Sequence, residues 1–433
     1  MSFVADLRVV LRGRDFRRLF ATRLVSQFSD GIFQFSVLGF AFFNPEKHTS
    51  ALDVAFGFAV LFLPYSVLGP FVGVFIDRWS RRQILVVAPL VRGTLLLLTA
   101  GILVAGLPEP IFYGAALCVL GVNRFFMAAL SAALPHVVPH DRLMAANAVV
   151  PTSGTVITFG GVALGYVMRE ILHTDISIMM ITSGAIFALS ALVARTMPRD
   201  LLGPDDSLDR PDTRQALRGV AVGLKEGVRH LLHHRVAAAT VGAMALHRFM
   251  FGMSTALGII LYRYYFTGGD ATSALQGMSL VVATSGIGFA LAVVVTPLAT
   301  ERFTLERWVP WMLASAGIAT AVLVTPFQEW GLPVAGFFLG VAGQSVKICA
   351  DTAVQRDVDD IYLGRSFAIY DMLFNASFVL AAALSAAILP DNGKSYVALA
   401  IIVLGYVFGG LGYRLLTRRL APSPRRPLKG PVG

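Results

Sequence analysis

Two ionisable side chains stand where long apolar runs leave little room for charge. Asp30 interrupts "LVSQFSDGIFQFSVLGF". It lies about twelve residues into a helical span, or about 18 Å along the axis at 1.5 Å per residue. Arg124 interrupts "LGVNRFFMAAL" at comparable depth. Charges inside a bilayer are costly and mark proton relays, ion paths or buried pairs. A guanidinium beside a carboxylate favours its ionised form, whereas separation in apolar surroundings favours the neutral acid. The pattern points to Asp30 as a proton-coupling carboxylate with Arg124 as its switchable partner. A fixed structural ion pair is the alternative reading of the same residues.

A second constellation fills "GPFVGVFIDRWSRRQIL", residues 69–85. Gly69 and Gly73 give a small-xxx-small face on which another helix can approach closely. Asp77 and Arg78 then end the apolar run, and Arg81 and Arg82 follow. An acid at that point suits the N-terminus of a neighbouring helix, where the dipole favours an anion. Arg81 and Arg82 suit lipid headgroups. The stretch reads as a latch, with Arg92, Asp141 and Arg142 as further members of its charge network. Basic residues alone would set orientation without needing the glycines or the acid.

Elements of a particular kind must position these residues. The chain has 433 residues, 56% hydrophobic and 14% charged, with a mean hydropathy of +0.69. A soluble domain carries roughly a quarter charged residues, so this composition belongs in a membrane. About twelve stretches have the roughly 20 apolar residues that a spanning helix needs. They lie near 18–42, 52–76, 83–106, 110–133, 144–168, 176–196, 236–262, 275–299, 307–327, 332–353, 364–389 and 395–416. The expected organisation is a six-span bundle over 1–196, a linker over 197–235, a second bundle over 236–416 and a basic tail over 417–433. In the linker, Leu217, Val220, Leu224, Val228 and Leu231 recur at helical spacing, as in an amphipathic helix lying on a membrane surface.

Basic residues crowd one set of loops. Arg8 to Arg18, Arg78, Arg81, Arg82, Arg142, the basic central linker, Arg302, Arg307, Arg356, Arg365 and the tail fall on one side; Lys47, Arg169, Arg263 and Lys394 fall on the other. The positive-inside rule then puts both termini in the cytoplasm. The net charge of +10 is thus topology, and no nucleic-acid partner is expected. Cys118 and Cys349 lie inside apolar runs without metal-ligand spacing. His230, His233, His234 and His247 show no regular ligand spacing either, and the three linker histidines read as solvated or near headgroups. No metal or cofactor is expected.

The two halves echo each other at an offset of about 220 residues, the mark of an internally repeated transporter. "GVFIDRWSRR" corresponds to "PLATERFTLER", and "ALPHVVPHDRL" to "AVQRDVDDIYL". "SDGIFQFSVLG" aligns with "HRFMFGMSTAL", which sets Asp30 opposite Arg248. The loop motif Gly69, Gly73, Asp77, Arg78, Arg81 and Arg82 resembles that of the major facilitator superfamily, with Ser80 where the family has glycine. "PHDRLMAANAV", "KEGVRHLLHHR" and "GRSFAIYDMLFNA" resemble the bacterial exporter subgroup that includes the enterobactin exporter.

That resemblance implies an all-α membrane protein of about twelve transmembrane helices in two pseudo-symmetric six-helix bundles. It implies a location in the bacterial cytoplasmic membrane. It makes span eleven, near Gly364, the partner of the Asp77 latch, and places spans one and four on a central cavity. Gly154, Gly160, Gly161 and Gly165 match the outline of the antiporter motif in span five, although Gly161 replaces its proline. Cavity residues would be Phe28, Gln34 and Phe35 in span one and Arg248, Phe249 and Met253 in span seven. With 31 Phe and 13 Met, the pocket suits an amphipathic or hydrophobic small molecule. Lys347 and Asp351 read as a local pair one turn apart. The expected function is secondary active transport, as proton-coupled export (antiport) by a monomer whose partners are substrate, protons and lipid. A proton symporter or uniporter on the same fold is the alternative, and a non-transporting membrane enzyme or receptor a remote one. No HExxH, P-loop or serine elbow is present, so no enzymatic activity is expected.

Overall fold

The computed structural model describes residues 13–42, 50–67, 71, 79–139, 143–198, 201–202 and 213–417. Among them the chain forms helices and no strand. The first six are α1 (Arg14–Phe42), α2 (Ala51–Val67), α3 (Arg81–Val104), α4 (Glu109–Ala133), α5 (Leu143–Tyr166) and α6 (Ile176–Arg195). The linker helix is α7 (Thr213–His233). The last six are α8 (Arg235–Ile260), α9 (Ala271–Arg302), α10 (Leu305–Ala319), α11 (Gly331–Asp357), α12 (Asp360–Ile388) and α13 (Tyr396–Thr417). One π-helical turn continues α8 over Leu261–Phe266, and another continues α10 over Thr320–Val324.

Among the described residues, nine helices are long and apolar enough to cross a membrane. With α1, α2 and α5 the spans number the twelve expected. Turn chemistry separates them. Between α8 and α9, Gly268 and Gly269 take φ of +62° and +101°, a region open to glycine. Asp270 then caps α9 by accepting from the backbone N–H of Thr272 and Ser273 at 3.3 and 3.0 Å. Hydrogen bonds from Ser273 hold that exposed carboxyl below the usual carboxylate range.

The chain divides into two compact units between Val222 and Gly223. Four pairings of helices recur in both. In the first unit α1 packs on α5 and α6, and α3 packs on α4 and α6. In the second, α8 packs on α12 and α13, and α10 packs on α11 and α13. Close approach at the repeated contacts depends on missing side chains. A Cβ on Gly31 would collide with the carbonyl oxygen of Thr158 in α5, and one on Gly161 with that of Phe28 in α1. In the second unit Gly252 faces Phe378 and Ala381 across the α8–α12 contact. Matching Gly31 to Gly252 corrects the repeat register: Asp30 falls opposite Phe251 rather than Arg248, and Ser26 opposite His247.

The linker helix α7 turns one face towards protein. Gly223, Gly227 and Leu231 are buried, whereas Val228 is 40% exposed and Leu232 65%. The face that docks is the glycine face: a Cβ on Gly223 would meet the Arg365 guanidinium at 3.1 Å, and one on Gly227 would meet the Arg365 Cβ at 2.9 Å. Arg365 spans that face and bonds Glu226 at 2.8 Å. The end of α7 is thus held to α12, within the second unit, by a side chain crossing two glycines.

The α1–α5 contact gives a direct test. Gly31→Ala and Gly161→Ala should each lower stability by about 1–3 kcal/mol, because rigid backbone blocks the added methyl. Gly39, on the same helix, faces open space, and Gly39→Ala should be tolerated. Thermal unfolding of the three purified variants checks this; equal melting temperatures would rule out the close contact.

Candidate functional site

At the centre of the first unit, the structure forms an ion pair between Asp30 and Arg92. Arg92 is wholly buried and Asp30 is 3% exposed. Arg92 also donates to Ser26 Oγ at 3.3 Å, and its guanidinium carbon lies 3.9 Å from the Phe187 ring centre. Three helices supply these groups: α1 gives Ser26 and Asp30 one turn apart, α3 gives Arg92 and α6 gives Phe187. The helices are pinned around the pair. Ser29 Oγ donates to Ser183 O at 2.7 Å, Ser183 Oγ returns a bond to Ser29 O at 3.0 Å, and Ser190 Oγ donates to Thr22 O at 2.9 Å. Gly93 and Gly184 bring α3 against α6, where a Cβ on Gly93 would stand 3.0 Å from the Gly184 carbonyl oxygen.

This arrangement corrects two expectations. The partner of Asp30 is Arg92, and Arg124, half-buried in α4, forms no ion pair with it. Arg92, expected in the latch network, pairs with Asp30, while that network's Asp77, Asp141 and Arg142 lie outside the described residues. Eleven residues past Arg81, Arg92 lies about 16 Å deeper along the helix at 1.5 Å per residue, level with the mid-membrane acid. Of the proposed latch, Gly69, Gly73, Asp77, Arg78, Asp141 and Arg142 lie outside the described residues. Gly364 is exposed, with open space around it. Arg81 and Arg82 reach protein carbonyls. Arg81 donates to Ala132 O and Leu202 O, each at 3.1 Å, and sits 3.2 Å from the His136 ring. Arg82 donates to Met197 O at 2.6 Å and Arg195 O at 2.8 Å. Cations at helix C-termini are favoured by the dipole, so these two arginines cap α4 and α6.

The residues expected to line a cavity fall largely into helix contacts. Phe28 packs over Gly160 and Gly161. Phe35, 6% exposed, lies against Gly165 and meets Tyr166 edge-on at 6.3 Å. The four glycines of span five thus form the groove that receives α1, with Gly154 facing Gln27 and Arg23. Met253 is 1% exposed and therefore inside the protein, whereas Gln34 and Phe249 are half-buried. In α8 the Arg248 guanidinium lies 4.3 Å from the ring centres of both Phe374 and Phe378 in α12. Lys347 and Asp351 bond at 2.8 Å.

Sequence reasoning missed His247, which is buried beside Tyr406 with Nδ1 3.2 Å from the hydroxyl, in space left by Gly343. Corrected repeat register is the signal that finds it, since His247 takes the position of Ser26. A second cluster escaped notice because its parts lie far apart along the chain. His230 stacks on Tyr362 at 4.2 Å, with His234 and Asp359 beside it.

Residues 19–359 match the family model of the Major Facilitator Superfamily. The chain belongs to that superfamily. A curated MFS-type transporter of Mycobacterium tuberculosis, itself uncharacterized, is 36% identical over 94% of this chain and 92% of its own length. Macrolide efflux protein A of Streptococcus pyogenes is 24% identical, covering 86% of this chain and 88% of that one. Among solved structures, a mutant of the nucleoside transporter NupG superposes with a TM-score of 0.66 at 13% identity, covering 92% of this chain and 98% of the other. A bacterial homolog of the human lysosomal transporter Spinster gives 0.62 at 14% identity, covering 94% and 98%. This MFS transporter is a multi-pass membrane protein with the twelve-helix fold of that superfamily.

In such a transporter a buried charge without its partner is expensive. Arg92→Met should destabilise the protein by about 3–5 kcal/mol, because it leaves Asp30 uncompensated. The double variant Asp30→Asn with Arg92→Met should recover a large part of that loss, the non-additivity expected of residues in contact. Thermal melts of the single and double variants decide the matter; strictly additive losses would mean that no energetic pair exists.

Proposed function

We propose that this transporter exports amphipathic or hydrophobic small molecules across the bacterial cytoplasmic membrane in exchange for protons, as a monomer with both termini inside. The observation that carries the reading is the Asp30–Arg92 pair. Its place in the repeat supports a functional role. Both units share the four helix contacts described above, but the second unit packs His247, Tyr406 and Phe251 in the corresponding region. Helix packing of this kind therefore does not require an acid and an arginine. In addition, Arg92 Nε is buried with no hydrogen-bond partner among the described residues, whereas purely structural buried groups are normally satisfied.

The chemistry follows from competition for one carboxylate. A guanidinium in contact with a carboxylate favours its charged form, and a proton on the acid removes the charge that the guanidinium pairs with. The guanidinium then keeps Ser26 and the face of Phe187, a cation–π contact worth about 2 kcal/mol when desolvated. Protonation thus exchanges one stabilised arrangement for another at modest cost, as a reversible coupling group needs. The efflux direction is supported by the macrolide efflux relative, and the subgroup resemblance in the sequence agrees with it. Under this proposal Arg124, expected as the switchable partner of Asp30, is given to the cavity wall instead, and the Asp77 stretch keeps the role of a conformational latch.

Purified protein in proteoliposomes tests the reading with a macrolide and an amphipathic dye as cargo. Asp30→Asn should cut pH-gradient-driven transport at least about tenfold, the equivalent of about 1.4 kcal/mol, while preserving exchange of cargo down its own gradient. Gradient-driven accumulation at the wild-type rate would remove Asp30 from the coupling step. Uptake by everted vesicles only when their lumen is acidified fixes the direction as export.

A further inference from the structure

The linker end of the second unit holds a group of ligand atoms that the transport reading leaves unused. His230 sits in the last turn of α7, His234 at the junction with α8 and Asp359 just before α12. Their ring nitrogens and carboxylate oxygen all lie within 4.8 Å of one another. His230 Nε2 and Asp359 Oδ2 are 3.5 Å apart. Nitrogen and oxygen ligands at about 2.0–2.2 Å around tetrahedral zinc stand roughly 3.3 Å apart, so this edge already has the spacing of a metal site.

The state of His230 adds an independent observation. Its Nε2 is sealed from solvent and makes no hydrogen bond with correct geometry among the described residues. The ring is held by stacking on Tyr362 at 4.2 Å and 18°, and lies 4.7 Å from the His234 ring. A fixed imidazole with a spare ring nitrogen facing a second imidazole and a carboxylate is a two-His, one-acid donor set, the type that suits zinc and similar divalent metals. The surrounding charge permits a cation. Arg365 is engaged by Glu226 at 2.8 Å and Arg356 by Asp357 at 2.7 Å. Lys225, Arg229 and Arg235 have exposed side chains.

We propose that His230, His234 and Asp359 form a transition-metal site, suited to Zn²⁺, that clips the end of α7 to the turn between α11 and α12. A fourth position is left for water. His234 lies at a helix junction with φ −90° and ψ 80°, outside the regular helical backbone on either side. The clip reinforces the Arg365–Glu226 contact one turn earlier on α7, making the linker a metal-dependent part of the second unit.

The test uses full-length, tag-free protein in detergent, stripped with chelator and titrated with ZnCl₂ by calorimetry and with CoCl₂ by visible absorption. One Zn²⁺ per chain and a tetrahedral Co²⁺ spectrum are expected. His230→Ala, His234→Ala and Asp359→Asn should each weaken Zn²⁺ binding more than about tenfold, since even outer-shell losses cost 10–100-fold. His233→Ala should leave it unchanged, because that exposed ring bonds only the Arg229 carbonyl at 2.6 Å. Metal-free melting of each variant at the wild-type temperature shows that the fold is intact. Zn²⁺ binding that persists in His230→Ala and His234→Ala, or no binding by the wild type, overturns the proposal.

Discussion

Inside a bilayer every charge needs a partner within reach, and in this transporter that constraint falls on Asp30. Asp30 is 3% exposed, and the first bundle carries its counter-ion. Arg92 supplies it, and α3 can deliver Arg92 only if it lies close to both α1 and α6. Gly93 against Gly184 permits the α3–α6 approach, while the reciprocal Ser29 and Ser183 bonds hold α1 on α6. Small and hydroxylated residues are the usual means of tight helix association in membranes. Here they also fix where a guanidinium can stand.

The repeat separates packing from chemistry. Gly31 and Gly252 perform one task in two bundles, each letting the first helix of its half meet the fifth. What surrounds them differs. The first half has Ser26, Asp30 and Arg92; the second has His247 bonded to Tyr406 and Arg248 between two phenylalanines. One scaffold thus accepts a charged centre and an aromatic one.

The spans were legible because hydropathy and span length are local properties of the chain. The pairing of Asp30 was not, since depth in a span is readable while the helix face and the neighbouring helix are not. Arg92 looked like part of the loop because Arg81 and Arg82 precede it in sequence; helical rise carries it three turns away. Arg81 and Arg82 themselves looked like headgroup anchors, but the carbonyls of Arg195, Met197 and Ala132 end helices within their reach. The linker stripe of Leu217, Val220, Leu224, Val228 and Leu231 suggested a surface helix. Gly223 and Gly227, without side chains to signal a face, form the one that docks.

The location of the pair constrains how a proton can act. Asp30 and Arg92 belong to the same bundle, and the helices that carry them are cross-bonded on both sides through α6. Rigid motion of that bundle would carry acid and arginine together and leave their separation unchanged. Coupling through this pair therefore has to be local: side-chain rotation, or a small shift of α1 against α3. The guanidinium has places to remain when the acid is neutral, on Ser26 Oγ at 3.3 Å and over Phe187 at 3.9 Å. Transfer among these positions is short, as neutralising an acid in so closely packed an interior demands.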